Sequence, residues 1–256
     1  MKKIKLVGLI LLICLLGAFK TDKHYFSANK PALNGNILFT DSTGFDAVLS
    51  TYQSVIMGKN HIVLPYLNLN VAFFYNQQWS PGLKKFFQAN SVSINDSTLF
   101  FNKGGYVDTF YRAYPSPISW KVVGSASVTS FTFTNNNPIP SYGGYNSLPD
   151  TLFNNQDITV SVSNFSNADK VQVWLQNSDN NQTIKRTIDN SGTVTFSQTS
   201  DLVGFYSQNA KVSIVICLSN YNIQTISGKK INFINNYSLV KNVFLINGNI
   251  TSRVKK

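Results

Sequence analysis

The chain has 256 residues, 43% hydrophobic and only 13% charged, which provides for a packed core and excludes wholesale disorder. Aromatic residues make up 13%, and all eleven acidic residues are Asp, with no Glu. This balance disfavours a helical protein, whose surface helices draw on Glu and Lys, and favours strands. The formal charge of +11 falls to 11 − 3 = +8 if Lys2, Lys3 and Lys5 leave with a cleaved leader. The remaining positive residues are dispersed, which excludes the concentrated basic face of a nucleic-acid binder; weak attraction to anionic lipid, polysaccharide or cell wall suits them better.

In chain order, Met1 to Lys5 is a positive stretch and Leu6 to Leu16 an eleven-residue apolar run, closed by the small pair Gly17-Ala18. Charge, length and closing residues predict a secretory leader over 1–18, because the run is short for a membrane span. Leu16-Gly17-Ala18 followed by Phe19-Lys20-Thr21-Asp22 resembles the leader of a bacterial lipoprotein, with Phe19 where the lipidated Cys stands. Without a thiol no lipid thioether forms at 19. The resemblance implies release after Ala18; an uncleaved anchor and lipidation at Cys14 are the alternatives.

Asn36 to Thr40 reads as a strand ended by Asp41-Ser42-Thr43-Gly44. Phe45 to Gln53 carries Phe45, Val48, Leu49 and Tyr52 at helical spacing, and Pro81 to Ala89 opens on Pro; both are predicted as short helices. His61 to Tyr75 holds two apolar runs, with Pro65 limiting the first. Thr98 to Tyr111 reads as a hairpin turning at Asn102-Lys103-Gly104-Gly105. Ile118 to Val123 and Val128 to Thr134 follow as strands, Phe131 and Phe133 alternating with threonines. Asn135 to Pro149 is dominated by turn formers. Beyond it, Ile158, Val160 and Val162 alternate, then Val171, Val173 and Leu175, then Val194 and Phe196, then Val212 to Leu218, then Ile231 and Phe233.

These runs predict a mostly β protein of two antiparallel β-sandwich-like domains, 19–134 and 150–256, joined by a linker over 135–149; one sandwich with a long loop is the alternative. Spacing and alternation over Leu148 to Ile246 resemble an immunoglobulin-like or fibronectin-III-like sandwich. The paired cysteines of immunoglobulin domains are missing, so the resemblance is one of architecture and implies no particular function.

Catalytic signatures are scarce. His24 and His61 are the only histidines. There is no Gly-x-Ser-x-Gly elbow, and no Cys or His pair at zinc spacing. Asp41-Ser42-Thr43-Gly44 differs from an aspartic-protease Asp-Thr-Gly by an inserted residue, and Gly58-Lys59 lacks the rest of a phosphate loop. Asp179-Asn180-Asn181 and Asp41 to Asp46 are the best calcium candidates, although turn chemistry accounts for both. Cys217, the one Cys outside the leader, sits in a strong β run and reads as a buried thiol. Five Asn-x-Ser/Thr sequons, at Asn95, Asn164, Asn181, Asn236 and Asn249, fit chance in a chain where about one residue in eight is Asn. An AT-rich genome is one account of that Asn; the missing Glu has no such account.

Binding is the remaining class. Trp174 alternates with the core residues Val171, Val173 and Leu175, so it shares a face with Gln172 and Gln176. On a solvent face it would stack on a glycan or on another envelope protein; the alternative is that this face packs inside the protein. Trp79, Tyr142 and Tyr145 are weaker ligand candidates, and Trp120 is predicted core. The expectation is an exported, non-enzymatic binding or structural protein of the bacterial envelope or surface, adhesin-like or carbohydrate-binding, without a cofactor or metal. An Asp-dependent hydrolase and an outer-membrane barrel are the rivals.

Overall fold

The computed structural model describes residues 44–58, 62–75, 86–102, 104–108, 110–188, 192–205 and 211–246. The leader, the strand predicted at Asn36 to Thr40, His24, His61 and Trp79 lie outside them. The described chain is mostly strand: β1 (Ala47–Met57), β2 (Val63–Phe74), β3 (Ser91–Ile94), β4 (Ser97–Thr98), β5 (Phe100–Asn102), β6 (Gly105–Val107), β7 (Ile118–Val123), β8 (Phe131–Asn135), β9 (Ser141–Tyr142), β10 (Thr151–Phe153), β11 (Ile158–Val162), β12 (Phe165–Ser166), β13 (Lys170–Asn177), β14 (Gln182–Ile188), β15 (Gly192–Phe196), β16 (Val212–Ile226) and β17 (Lys229–Ile246). A 3-10 turn at Tyr145–Ser147 is the helical element among these residues. No helix among them is long and apolar enough to cross a membrane.

One nine-stranded sheet organises the molecule, in the order β14-β13-β16-β17-β1-β2-β6-β5, with β10 as a ninth strand paired to β17 off this path. It is open, with β14 and β5 at its edges, so the barrel rival does not describe it. At its centre is the β16–β17 hairpin, whose strands of 15 and 18 residues are about three times the usual length. Ile226 pairs with Lys229, leaving Ser227 and Gly228 as a two-residue turn with φ of 50° and 75°. Positive φ at both positions is the type I′ geometry that matches strand twist. Along its other edge β17 takes two parallel partners in succession: β1 up to Lys241, then β10 from Phe244. Strands from both halves of the chain therefore share one sheet.

The helix predicted over Phe45 to Gln53 is strand β1. Both of its faces are buried: Ala47 and Leu49 face one core, while Val48 and Tyr52 face two further apolar clusters. A strand covered on both sides loses its two-residue alternation, and its apolar positions fell by coincidence at helical spacing. Of the helix predicted at Pro81 to Ala89, the described part is extended, with Phe86 bridging Tyr75 and the Phe87 N–H bonded to the Phe74 carbonyl at 2.9 Å. The hairpin turning at 102–105 is present as β5–β6, and Trp120 is buried as predicted.

The odd-numbered residues of β17 face two separate cores on the same side of the sheet. Ile231 and Phe233 pack under the four-stranded sheet β4-β3-β7-β8, with Val92, Ile94, Ile118 and Trp120. Phe133 stacks on Phe233 at 4.1 Å. Tyr237, Leu239 and Val243 pack under the β11–β15 pair, with Val160, Val162, Val194 and Phe196. Between the cores a buried polar row crosses the sheet: Asp108, Asn70, Thr51, Asn235 and Asn220, following β6 and then on β2, β1, β17 and β16.

This row exists because the chain crosses the sheet there. Backbone carbonyls buried without donors would each cost about 1–3 kcal/mol, and side-chain amides supply the donors. Asn70 donates to the Arg112 carbonyl at 2.9 Å, Gln53 to the Tyr114 carbonyl at 3.3 Å and Asn235 to the Asn137 carbonyl at 2.7 Å. Thr51 and Asn135 donate in turn to Asn235 Oδ1, at 3.0 and 3.4 Å. Segment 135–149 lies against the body: Asn135, Tyr142 and Leu148 are buried, and β9 pairs with β12. Its end is fastened by Lys241, buried on β17, which donates to the Leu148 carbonyl at 2.6 Å and pairs with Asp150 at 2.8 Å.

Candidate functional site

The predicted ligand face on β13 is closed. Trp174 is 1% exposed and packs with Val215, Cys217, Val240 and Tyr52 on the second face of the large sheet. The ammonium of Lys185, its cross-strand partner, lies 4.1 Å from the indole centroid, and burial lowers the Lys185 pKa. Gln176 is also buried, and half-buried Gln172 donates to Thr187 Oγ1 at 3.2 Å. The solvent-face reading of Trp174 is thus corrected, because the central sheet is covered on both sides and alternation no longer separates inside from outside. Tyr142 is buried with its hydroxyl donating to the Gly144 carbonyl at 2.9 Å, and the Tyr145 and Tyr237 hydroxyls meet at 3.0 Å. Tyr142 is thus enclosed, while Tyr145 is half-buried. The Cys217 thiol is buried and free, and burial pushes its pKa up to about 12, which suppresses the reactive thiolate.

The carboxylates are structural pins. Asp46, Asp108, Asp157, Asp169, Asp179 and Asp201 each accept a backbone N–H, from Lys230, Phe110, Gln198, Tyr221, Lys211 and Ser197 respectively. In the calcium candidate at 179–181 the oxygens serve the turn: Asp179 accepts from Lys211 and Asn180 from the Gln182 N–H. Among the described residues no three His, Cys or acidic side chains converge.

A concave site forms where the sheet and its four-stranded cover splay apart. Four stretches meet there: Asp46 and Ala47 at the start of β1, Phe74 and Tyr75 at the end of β2, Ser127 to Thr129 with Phe131, and Lys229 and Ile231 of β17, with Phe87 beside them. The cavity measures about 280 Å³. Ala47, Phe74, Val128, Phe131 and Ile231 are buried and belong to the core beneath it. Asp46, Lys229, Ser127 and Thr129 bring the polar groups.

Each wall is held by backbone geometry. The type I′ turn presents Lys229. Asp46 and Lys230 clamp each other: the Asp46 N–H donates to the Lys230 carbonyl, and the Lys230 N–H to Asp46 Oδ2, both at 2.8 Å. The Lys230 ammonium stacks over Phe45 at 4.9 Å, while that of Lys229 approaches Asp46 at 3.4 Å and stays half exposed. The 124–130 loop closes tightly: Gly124 donates to Ser130 Oγ at 2.8 Å, Ser125 to the Val128 carbonyl at 2.8 Å, and Asn90 to the Gly124 carbonyl at 2.5 Å.

Gly124 is required by that closure. A Cβ there would run into the Val128 carbonyl oxygen and come within 2.6 Å of the Ser130 nitrogen. Gly124→Ala is expected to cost about 2–3 kcal/mol and to displace Ser127 to Thr129 from the rim. Urea unfolding checks it; an unchanged midpoint would mean that the loop yields freely.

No local sequence pattern announces this site, because its residues are scattered from position 46 to position 231 and only pairing across β1, β2 and β17 assembles them. Asp46 stood out in the sequence only as the end of the calcium candidate Asp41 to Asp46. Comparison of the chain with known family models, with curated proteins and with solved structures finds no match.

Proposed function

We propose that the chain is an exported protein of the bacterial envelope or surface that acts by binding, with the cleft between the sheet and its four-stranded cover as its site. The observation that carries the reading is the cleft: a concave, aromatic-lined end of a rigid sandwich with a polar rim, the usual form of a small-ligand site. The leader-like residues 1–18 support export. Phenyl rings from Phe74, Phe87 and Phe131 suit the apolar face of a glycan ring or a similar small body.

The two-sandwich organisation is proposed as two covered units on a shared sheet. Its support is the pair of separate cores divided by the polar row. The second unit is proposed to be immunoglobulin-like. Supporting this are the order β14-β13-β16-β17, the parallel run of β10 beside β17, and the opposed β11–β15 pair, an arrangement like the extended C-F-G sheet facing strands B and E.

Two measurements test the reading. Cell fractionation with intact-mass analysis is expected to find the chain outside the cytoplasm, lacking residues 1–18; a full-length cytoplasmic chain would defeat the export reading. Ligand-observed NMR against a small-glycan and small-acid library is expected to give hits that vanish in Thr129→Trp, which blocks the rim from a half-exposed position. Hits that persist in this variant at unchanged melting temperature would place binding elsewhere.

A further inference from the structure

We infer that the second face of the large sheet, opposite the cleft floor, is a seat for an extended stretch of polypeptide, and that residues 19–43 of the same chain fill it. Trp174, Val215 and Val240 stand side by side on β13, β16 and β17 and are 1%, 1% and 3% exposed. Ser50, Ser54 and Ser238 are equally enclosed. Neighbours within a sheet screen the flanks of a side chain but not its tip, which stands away from the strands, so burial this complete needs a layer above. The described covering strands all pack on the other face, over Ile231 and Phe233 and over Tyr237 and Leu239. Beyond the sheet strands and Tyr75, the apolar clusters of the second face take only Phe45, Phe86 and Tyr111 from the described residues.

The polar groups of this face show what kind of layer it is. Asn232 is 0% exposed, and neither atom of its amide has a hydrogen-bond partner. It pairs with Val48 on β1, so its side chain stands on the second face beside that of Val48. The Tyr75 hydroxyl, whose ring packs with Val48 and Ile234, and Oε1 of Gln176, two residues along β13 from Trp174, are also buried without partners. Donors and acceptors are thus mixed. Hydrocarbon satisfies neither, whereas a polypeptide backbone brings both N–H and C=O.

Reach selects the stretch. Trp174 stands level with Ile56 through Val215 and Val240, 56 − 45 = 11 residues from Phe45 along β1 and three strands across, roughly 40 Å. Residues 19–43, 25 in number (43 − 18), span up to about 80 Å when extended. Phe45, which follows them, already packs on this face with Val48 and Ile234, so the chain enters from that side. Residues 247–256 reach about 35 Å from Ile246, short of Asn232, which lies 246 − 232 = 14 residues back, roughly 46 Å. The stretch between Tyr75 and Phe86 is closed at its base by their bridge, and the other gaps in the described chain are of five residues or fewer. Ile37 and Phe39 alternate in the strand expected over Asn36 to Thr40, which gives it an apolar side for the sheet. Extended from Phe45, the chain crosses to Trp174 in about twelve residues, which brings Lys30 near Lys185, whose ammonium lies over the indole.

The test cross-links an equimolar mixture of nitrogen-14 and nitrogen-15 full-length chain with a short amine-to-amine reagent and maps the linked peptides by mass spectrometry. Links from Lys185 to Lys30 or Lys23 within one isotope are expected. Links that join the two isotopes seat the stretch of a second copy and overturn the assignment to the same chain. Links from Lys185 to Lys2, Lys3 or Lys5 alone, to Lys255 or Lys256 alone, or to no residue before 44 overturn it as well. Cys217, buried on the same face, reports independently. In the double variant Ile37→Asp with Phe39→Asp its alkylation by N-ethylmaleimide is expected to rise about tenfold or more, while amide exchange in β11 and β15 on the other face stays unchanged. Alkylation at the parent rate overturns the proposal. If the variant loses protection on both faces it has unfolded, and the cross-links of the parent chain decide alone.

Discussion

Trp174→Ala is expected to destabilise the protein by about 3–5 kcal/mol, the range for removing a large buried aromatic, and to lower the melting temperature markedly. The indole is almost fully enclosed among Val215, Cys217, Val240 and Tyr52, and it carries the Lys185 ammonium on its face. The truncation leaves a cavity in the second face of the sheet and strips Lys185 of its cation–π partner. Trp174→Phe should recover most of the loss, because it refills the cavity and removes the indole N–H, which has no hydrogen-bond partner. Guanidinium unfolding of the three proteins measures this. A weakened ligand interaction in Trp174→Ala at unchanged stability would restore the exposed binding face that alternation suggested.

Asn235→Ala is the second large effect, at about 3 kcal/mol or more. Asn235 sits at the middle of the polar row, where it accepts from Thr51 and Asn135 and donates to the Asn137 carbonyl. Losing its amide takes the partner from buried Thr51 and Asn135 and from the half-buried Asn137 carbonyl at once, and frees the segment that passes between the two covering layers. Asn235→Asp separates the roles. It keeps the acceptor oxygen, loses the donor and buries a carboxyl group, so its deficit should grow as pH rises and that group ionises. Thermal melts of the three proteins between pH 4 and about pH 8 check this. A pH-independent deficit equal to that of Asn235→Ala would show that the acceptor bonds contribute nothing.

The same row revises the meaning of the composition. Asn135, Asn137, Asn220, Asn222 and Asn235 form one hydrogen-bonded chain: Asn137 donates to Asn220 at 2.7 Å and Asn222 to Asn135 at 2.9 Å. Asn95, Asn164, Asn167 and Asn181 occupy left-handed turn positions, which Asn tolerates well. Codon usage alone therefore does not account for the Asn content. The structure also supplies part of an account for Asp without Glu. The described carboxylates serve mainly as short acceptors for turn and strand-end N–H groups, where the extra methylene of Glu would carry the oxygen past its donor.

What the sequence determined by itself was the strand content of regions covered on one side. Ile118 to Val123, Ile158 to Val162 and the lead residues of β13 alternate visibly, because the period-two pleat is a local property that solvent on one face reveals. The hairpin turn at 102–105 and the turn settings of Asp were local in the same way. Tertiary structure alone decided the identity of β1, the closed surroundings of Trp174, the polar row and the cleft. Each depends on long-range pairing, above all on β17 lying between β16 and β1. That pairing buries strands on both faces and so erases the alternation from which burial is read. It also brings Asp46, Tyr75, Thr129 and Lys229 to one rim from four distant stretches, a proximity that no local pattern encodes.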